Sequence, residues 1–497
     1  MKAMMQQNTL PSAVCKYLHS LKKSLAFTLL AFFPLQSITA EAPDLPSLGL
    51  TSSFEVSTHQ ERLLGQGWLR QFRGQTQLYH DPLVQNYTEQ LIQHLATWNR
   101  SLEQKLLDVL LVDQRQLNAF AVPGGIVGIN TGLFVFATYE DEFASVAAHE
   151  LAHISQRHFA RRVESAKGAQ WATMAGLLAG ILVASQGHAD AGVAAIAGTQ
   201  AAAIQSQLAW SRSYEQEADR IGMETLVAAG YPAEAMPRMF AQMQRLASLS
   251  GRPPEFLLTH PLTESRIADA QSRADQMQAE TSPRQSRDYE LIRTRIIFHT
   301  IRNSTDAMTL FDRQPGSDAA QHYAAALLAR SEGDLPTSLA RLEQLVAAEP
   351  DWLLARYLLV EELVKQQRWE QAKDQLQELL LFAPTYYPAH FLQAEMHMQQ
   401  QQWDAARRIL HALSSTRPND PQVWYQLAEA AGKADRQIQL HQARAEFFQL
   451  TGRFRQAFSQ LDLAQEQARL QNQPWGVQAA IRERRRELEN LRSLMDL

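Results

Sequence analysis

The chain has 497 residues, enough for about three ordinary domains or two large ones. Hydrophobic residues make up 45% of the chain and charged residues 20%, and the formal net charge is -5. This ordinary globular balance excludes a largely disordered chain, a collagen and a chain made only of coiled coil. The excess of acidic residues argues against a protein that binds nucleic acid.

Residues 1–40 have the features of a secretory signal peptide. The adjacent lysines Lys22 and Lys23 precede the apolar run 25–33, and small residues follow it up to Ala40. A helix needs about twenty apolar residues to cross a bilayer, so this short run favours cleavage over the alternative of a permanent membrane anchor. We therefore predict cleavage near Ala40 and export to the periplasm of a Gram-negative bacterium.

Residues 41–270 mix the patterns of helices and strands. The segment 60–98 has a helical pattern with a turn in its middle, and 106–112 is a short apolar run typical of a strand. The segment 118–136 combines β-branched and aromatic residues around a Pro-Gly-Gly turn, which predicts a hairpin. A helix is expected to begin near Asp141. These elements predict an α+β domain.

The helix that follows the hairpin carries an HExxH motif, with His149, Glu150 and His153. Because a helix turns by about 100° per residue, the two histidines lie about 40° apart on one face and one turn from each other. Glu150 lies on the adjoining face and can reach a water held beside them. Two neutral imidazoles and a third ligand suit Zn²⁺, and the glutamate suits the role of general base. The motif favours a zinc-dependent hydrolase.

The third ligand is sought in a later acidic run. Glu215 and Asp219 are spaced i and i+4, so on a helix Glu215 could bind the metal while Asp219 orients a ligating histidine. Glu217 faces away from them and remains the alternative ligand. A solvated acidic helix start without a metal role is the other interpretation of this run. His158 lies on the opposite side of the first helix from His149, so it is expected to be a surface or packing residue.

Two other segments bear on the architecture. The apolar stretch 171–184 is too short to span a bilayer, and it is expected to form a helix packed on the protein or a flap. Peripheral contact with a membrane is the alternative for this stretch. Residues 271–310 are polar and helix-forming, and they predict a helical connection between the two halves of the chain.

Residues 311–497 contain a repeat of 34 residues. Similar residues recur at this period in five columns, which are Pro350, Pro384 and Pro418; Leu335, Trp369 and Trp403; Ser338, Ala372 and Ala406; Leu342, Leu376 and Leu410; and Ala326, Val360, Ala394 and Ala428. The pattern resembles the tetratricopeptide repeat, which stacks helix pairs into an all-α array. After Ala428 the register is expected to break, and a basic helix near 482–494 would cap the stack. The concave surface of such an array typically holds a peptide or a segment of a partner.

Four motifs together resemble one peptidase family. They are N-A-F-A-V-P-G-G at 118–125, H-E-L-A-H at 149–153, S-Y-E-Q-E-A-D-R-I-G at 213–222 and T-H-P-L-T-E-S-R-I at 259–267. In this order they are similar to the family that contains the CAAX prenyl protease, the heat-shock protease HtpX and the mitochondrial Oma peptidase. The resemblance implies that His149, His153 and Glu215 bind zinc, that Glu150 is the catalytic base and that Asp219 supports the site.

The resemblance also implies roles outside the zinc motif. His260 is expected to be a fourth zinc ligand that holds the enzyme latent, whereas an isolated loop histidine is otherwise usually a solvated residue. Arg266 either stabilises an oxyanion or is a structural salt-bridge partner. The strand within 118–127 is expected to pair with extended substrate, which would add a strand to the sheet edge.

The signal peptide and the repeat half narrow the functional prediction. The chain is expected to be an α+β zincin domain followed by an all-α tetratricopeptide-repeat domain. By the resemblance, it would be a zinc endopeptidase that degrades misfolded or stalled outer-membrane proteins, with the repeats bringing substrate or the β-barrel assembly machinery to the metal. The alternative is a chaperone or assembly scaffold with a latent protease site. A membrane-tethered prenyl-type protease is a third possibility, which the short apolar run 25–33 disfavours.

Overall fold

The computed structural model describes residues 57–102, 107–165, 201–250, 254–277, 283–284, 286–313 and 316–495. The predicted signal peptide and the apolar stretch 171–184 lie outside these ranges. All described residues belong to one compact unit. Within the described ranges, no helix combines the length and the hydropathy that crossing a bilayer requires.

The N-terminal half combines helices with one small sheet. Its elements are α1 Thr58–Gln75, α2 Pro82–Trp98, β1 Asp108–Val112, β2 Ala119–Val122, β3 Ile126–Asn130, α3 Thr131–Phe136, α4 Glu140–Ser155, α5 His158–Ser165, α6 Ala201–Ala228, α7 Ala235–Ser250, α8 Glu255–Thr259 and α9 Glu264–Gln276. The turn predicted within 60–98 is confirmed between α1 and α2. Asp81 caps α2 there, because its Oδ1 accepts hydrogen bonds from the N–H groups of Leu83 and Val84.

The sheet has the strand order β1-β3-β2, with β1 parallel and β2 antiparallel to β3. The predicted hairpin is confirmed, and its turn uses Gly124 and Gly125 at φ of 87° and 92°, which glycine adopts readily. The prediction that the hairpin extends to Phe136 is wrong. The N–H of Gly132 and the hydroxyl of Thr131 donate to the carbonyl oxygen of Gln114, so the chain leaves the sheet and forms α3.

Helix α4 runs through the centre of the N-terminal half. It packs against α2, α6, α7 and β2, and it presents the fully buried alanines Ala144, Ala147 and Ala148 to its neighbours. Such small side chains allow close approach of the surrounding elements. At its start, Oε2 of Glu142 accepts hydrogen bonds from the N–H groups of Thr138 and Tyr139. The helix that carries the HExxH motif is therefore held on several sides.

The C-terminal half is helical throughout its described residues. Its elements are α10 Arg287–Thr300, α11 Ser304–Asp312, α12 Asp318–Ser331, α13 Leu335–Ala348, α14 Leu353–Lys365, α15 Trp369–Phe382, α16 Tyr387–Gln399, α17 Trp403–Thr416, α18 Pro421–Lys433, α19 Gln437–Leu450, α20 Phe454–Leu470 and α21 Trp475–Met495. From α12 onward the helices pack in antiparallel succession, each against the next along the chain.

The 34-residue period extends further than the sequence indicates. Helices α13, α15, α17 and α19 begin at Leu335, Trp369, Trp403 and Gln437. The turn before each of them contains a residue with positive φ, and these residues are Gly333, Gln367, Gln401 and Asp435. The prediction that the register breaks after Ala428 is therefore wrong. The residue columns themselves do end there, because Leu440, Arg444 and Gly452 follow Ala406, Leu410 and Pro418 at the same period.

Helix α10, within the predicted connection 271–310, is part of the core. Its Tyr289 is buried, and the ring lies 6.1 Å from that of Phe134 and 5.9 Å from that of Phe143. On its other side, α10 packs against α12. Arg295 of α10 also binds Asp81 at 2.5 Å and Glu361 at 2.6 Å. The helix thus joins the two halves through buried contacts.

Later repeat helices fold back onto the N-terminal half. Helix α16 packs against α2, and α19 and α21 pack against α1. Arg417 donates to both carboxylate oxygens of Glu89, at 2.6 and 2.8 Å, and its guanidinium lies 4.1 Å above the ring centre of Tyr387. Part of the repeat surface is therefore already covered by the chain's own helices.

We expect a fragment that begins at Ser286 to be more stable than one that begins at residue 311. Both fragments contain the pairs from α12 onward, but only the longer one keeps α10 against α12. Repeat arrays depend on contacts between neighbours, so loss of the covering helix should lower the melting midpoint, by about 2–4 °C for each kcal/mol lost. Circular dichroism during heating measures this. A disordered short fragment would contradict the predicted boundary at 311, and equal midpoints would contradict the role of α10.

Candidate metal centre

The HExxH residues lie in the C-terminal half of α4. His149 and Glu150 are buried, and His153 is partly exposed. The Nε2 atoms of His149 and His153 lie 3.1 Å apart. Both imidazoles therefore point to one spot, as the helical spacing predicts.

Helix α6 crosses α4 at close range and supplies a carboxylate. A Cβ atom at Gly222 would lie 3.1 Å from Cα of His149, so a side chain there would push the two helices apart. Two turns earlier on α6, Glu215 places Oε2 3.4 Å from Nε2 of His149 and Oε1 3.5 Å from Nε2 of His153. The predicted third ligand therefore lies beside the two histidines.

His260 directly follows α8 and completes the group. Its Nδ1 lies 3.4 Å from Nε2 of His149 and 3.1 Å from each carboxylate oxygen of Glu215. One ligand atom from each of His149, His153, Glu215 and His260 lies within 4.8 Å of the others. We call these four residues the metal group.

Three members of the metal group, His149, His153 and Glu215, fit a tetrahedral divalent ion. Donors around such an ion, with bonds of about 2.0–2.1 Å, are about 3.3 Å apart. The separations between His149, His153 and Glu215 range from 3.1 to 3.5 Å. Three imidazoles and one carboxylate do not suit Ca²⁺ or Mg²⁺, which prefer oxygen ligands. Without a cation or a proton between them, the Nε2 lone pairs of the two helical histidines would also repel each other.

Asp219 lies behind His149, on the side away from the metal group. Its Oδ1 is 2.9 Å from Nδ1 of His149, the arrangement that orients a metal-binding imidazole. Arg266 donates from Nε and Nη2 to the two oxygens of Asp219, at 2.6 and 2.7 Å, and its Nη1 lies 3.0 Å from Oε2 of Glu215. Of the two roles that the sequence leaves open for Arg266, these contacts favour the structural salt bridge.

Carboxylates dominate the electrostatics of the metal group. Burial lowers the pKa of His149, but Asp219 and Glu215 outweigh this effect and raise the pKa to about 10. Burial raises the pKa of Glu215, but His260, His149 and His153 outweigh it and hold the pKa well below its ordinary value. Burial lowers the pKa of His153 far enough to keep that imidazole neutral at neutral pH. The carboxylates thus favour a positive charge among these side chains, which a bound metal ion supplies.

Glu150 lies beside the metal group. Its side chain is fully buried, and neither carboxylate oxygen makes a hydrogen bond of ordinary geometry with the described residues. Nε2 of His260 lies 3.5 Å from Oε1 of Glu150. Burial raises the pKa of Glu150, which the charges of His260 and His149 offset only in part. A buried carboxylate with a raised pKa and no hydrogen bond of ordinary geometry is suited to accept a proton.

The prediction that His158 lies on the opposite side of the helix from His149, as a surface or packing residue, is wrong in its placement. His158 is buried beside the metal group, with Nδ1 2.9 Å from Nδ1 of His153. Extending α4 as a regular helix gives the wrong position for His158, because the chain turns at Arg157, which has φ of 50°. Glu217, the alternative third ligand, lies outside the metal group, with Oε2 3.1 Å from Nε2 of His158. An arginine with positive φ cannot be recognised from the sequence, so this turn could not be predicted.

Comparisons with known proteins identify the family. Residues 82–274 match Peptidase family M48, and residues 363–430 match a tetratricopeptide repeat. The beta-barrel assembly-enhancing protease of Escherichia coli (strain K12) is 33% identical over 461 residues, which cover 90% of this chain and 93% of that protein. The chain belongs to peptidase family M48. The predicted fold class, a peptidase domain followed by tetratricopeptide repeats, is confirmed.

Two further relatives show how far this M48 peptidase resembles other members. The beta-barrel assembly-enhancing protease of Yersinia pestis is 31% identical over 431 residues, covering 86% of this chain and 88% of that protein. The mitochondrial metalloendopeptidase OMA1 of Bos taurus is 32% identical over 160 residues, covering 30% of this chain and 29% of that protein. The second likeness is confined to part of the chain. Membership of the family makes the chain a metallopeptidase.

We predict that Gly222→Val destabilises the chain by about 1–3 kcal/mol, as forced overpacking usually does. A side chain at this position meets the backbone of His149 and Ala148, which cannot move aside. Gly476→Val is the matched control, because a Cβ atom there meets nothing within 4 Å. Chemical unfolding of both variants measures the difference. Equal free energies of unfolding for the two variants would show that the close crossing of α6 and α4 is unimportant.

Proposed function

We propose that the chain is a zinc-dependent endopeptidase. The observation that carries the proposal is the metal group with the buried carboxylate of Glu150 beside it. Zinc held by His149, His153 and Glu215 would activate a water and polarise the scissile carbonyl. Glu150 would accept a proton from the attacking water at Oε1 and deliver it to the leaving nitrogen. Asp219 would keep His149 oriented through Nδ1.

The edge strand β2 supports a substrate of extended polypeptide. Among the described residues, β2 pairs with β3 alone, so its other edge faces away from the sheet. Helix α4 packs against β2, and the backbone of Ala121 lies close enough to influence the pKa of Glu150. A polypeptide segment added to this edge would lie beside the metal group. We therefore assign substrate binding to the strand within 118–127.

The biological setting is inferred from the relatives. The relatives from Escherichia coli and Yersinia pestis are named beta-barrel assembly-enhancing proteases. With the predicted signal peptide cleaved near Ala40, this supports a protease of the Gram-negative periplasm that degrades misfolded or stalled outer-membrane proteins. The repeat half would dock the substrate or the β-barrel assembly machinery, as repeat surfaces commonly do.

His260 supports a latent resting state. Its Nδ1 is directed at Glu215 and His149, while its Nε2 lies 3.5 Å from Oε1 of Glu150. As a fourth zinc ligand, this one imidazole would occupy the position of the attacking water and also the space next to the base. Substrate or a partner would have to displace it before cleavage.

A chaperone or assembly scaffold with a latent protease site is the second candidate. The same position of His260 favours it, because a site closed by its own side chain would cleave seldom. In that case the repeat half would supply most of the function by binding. The two candidates share the fold and the metal group, and they differ in whether cleavage is needed.

Purified protein is expected to contain about one zinc per chain. His149→Ala should lose this metal, because it removes a ligand. Glu150→Gln should retain the metal and lose cleavage of an unfolded model protein by about 10²–10⁴-fold, because only the base is removed. Elemental analysis and a protease assay on the same preparations measure both effects. Stoichiometric zinc in His149→Ala would disprove the ligand assignment, and full activity of Glu150→Gln would disprove the base.

The same Glu150→Gln variant separates the protease from the scaffold in cells. If it replaces the wild-type chain without any defect in outer-membrane assembly, then binding is the main function. A defect as severe as that of a deletion would show that cleavage is required.

His260→Ala is predicted to raise basal proteolysis or self-cleavage at neutral pH while zinc stays bound through three ligands. The physical reason is that the variant opens the position of the attacking water. A role of His260 as hydrogen-bond donor to the transition state predicts the opposite, a loss of about a hundredfold in turnover. His94→Ala is the control, since His94 contacts the carbonyl of Ala229 and lies outside the metal group. Lower activity with zinc retained would eliminate the latch, and unchanged activity would leave His260 without a functional role.

A further inference from the structure

Behind His153 lies a row of polar side chains that leads away from the metal group. Nδ1 of His153 is 2.9 Å from Nδ1 of His158, and Nε2 of His158 is 3.1 Å from Oε2 of Glu217. Arg161 donates from Nη1 to the same oxygen of Glu217 at 2.8 Å. The row therefore ends at a carboxylate that is held by a guanidinium.

The protons of this row can be assigned from the chemistry of its members. A carboxylate only accepts hydrogen bonds, so Nε2 of His158 must carry the proton that faces Glu217. A neutral His158 then has a free lone pair on Nδ1, which accepts from Nδ1–H of His153. That leaves the lone pair of His153 on Nε2, the atom that faces Glu215 at 3.5 Å. Each step fixes the tautomer of the next ring.

We propose that His158, anchored by Glu217, is a positioning residue that holds His153 in the orientation and tautomer needed to bind the metal. The inference rests on the proposed ligand role of His153. Metal-binding histidines generally donate their other ring N–H to an acceptor that fixes the ring. His149 has such an acceptor in Asp219, and His158 provides the equivalent for His153 through an imidazole.

The surroundings of His158 hold its ring in place. It is stacked on Tyr214, with ring centres 4.6 Å apart and an angle of 23° between the planes. The guanidinium of Arg161 lies 4.9 Å from the centre of the same tyrosine ring. Tyr214 and Glu217 are three residues apart on α6, so one face of that helix supports both the ring and its proton acceptor.

The segment from Ser213 to Asp219 therefore supports both histidines of the HExxH motif. Glu215 is the shared ligand, Asp219 orients His149, and Glu217 orients His153 through His158. Because these three acids stand at every second residue of α6, they lie on different sides of the two imidazoles. This accounts for Glu217, which has no role in the ligand set itself.

The test compares two substitutions of His158 in the full-length protein. His158→Phe keeps a ring on Tyr214 but removes the acceptor, and it should weaken zinc binding by about 10–100-fold. His158→Asn keeps an acceptor, since its Oδ1 takes the position of Nδ1, and it should retain most of the affinity. Competition with a chromophoric chelator measures the zinc dissociation constant. Visible absorption of the Co²⁺-substituted protein reports separately on the ligand geometry.

His299→Phe is the matched control outside the metal group. That histidine also lies on a tyrosine, with ring centres 4.4 Å apart at Tyr79, and also contacts an acid, Asp113 at 2.9 Å. It should bind zinc as the wild type does. Thermal unfolding of the metal-free proteins distinguishes positioning from a structural role. Positioning requires weaker zinc binding at unchanged metal-free stability.

Other outcomes overturn the inference. Wild-type zinc affinity in His158→Phe, or equal losses in the Phe and Asn variants together with lower metal-free stability, would disprove it. Should His158→Phe fail to fold, Glu217→Gln decides, because an amide no longer imposes one tautomer on His158, and unchanged affinity in that variant would disprove the inference. If the wild-type chain itself binds no zinc, the proposed function fails instead.

Discussion

The metal group depends on the close crossing of α6 over α4. Gly222 lets the two backbones approach, and the acids on the preceding turns of α6 then reach His149 from two sides. Glu215 faces the metal-directed nitrogen and Asp219 faces the other nitrogen. Contacts of this kind weaken steeply with distance, so a small outward movement of α6 would disrupt both together. The i, i+4 spacing of these acids brings both of them to His149 only when α6 and α4 are this close.

The close crossing of α6 over α4 buries charged side chains, and these need partners of opposite charge. An ion taken out of water costs several kcal/mol unless it is paired and hydrogen-bonded. Arg266 compensates Asp219 through two hydrogen bonds and lies 3.0 Å from Glu215. One guanidinium cannot neutralise two carboxylates and the nearby Glu150 as well. A divalent ion held by the metal group would supply positive charge there, and it would stabilise the fold in addition to supplying the chemistry.

The sequence predicts those features that follow from local spacing. The HExxH motif, the acids at 215 and 219, the hairpin and the 34-residue period are all read within one helix, one turn or one repeat. The position of His158 and the continuation of the period to α19 are different, because both depend on turns with positive φ at arginine, glutamine or aspartate. Arginine and glutamine carry no turn signal of their own, and a single aspartate, which adopts positive φ more readily, does not locate a turn. The return of the repeats onto α1 and α2 is set by tertiary packing, which no local pattern encodes.

The groups that hold the rings of His149, His153 and His260 differ, and this difference bears on the proposed latent state. The outer nitrogen of His149 faces Asp219, and that of His153 faces His158, so both rings are held by groups that are themselves anchored. The outer nitrogen of His260 instead faces the carboxylate of Glu150 at 3.5 Å, beyond an ordinary hydrogen bond, and its ring stacks on Phe256.

A ligand whose outer nitrogen has no anchored acceptor would be less costly to exchange, because its departure breaks no hydrogen bond at that nitrogen. In the proposed latent state, displacement of His260 would free Glu150 together with the fourth position around the metal. This difference supports the proposal that His149 and His153 would keep the metal bound while His260 is displaced.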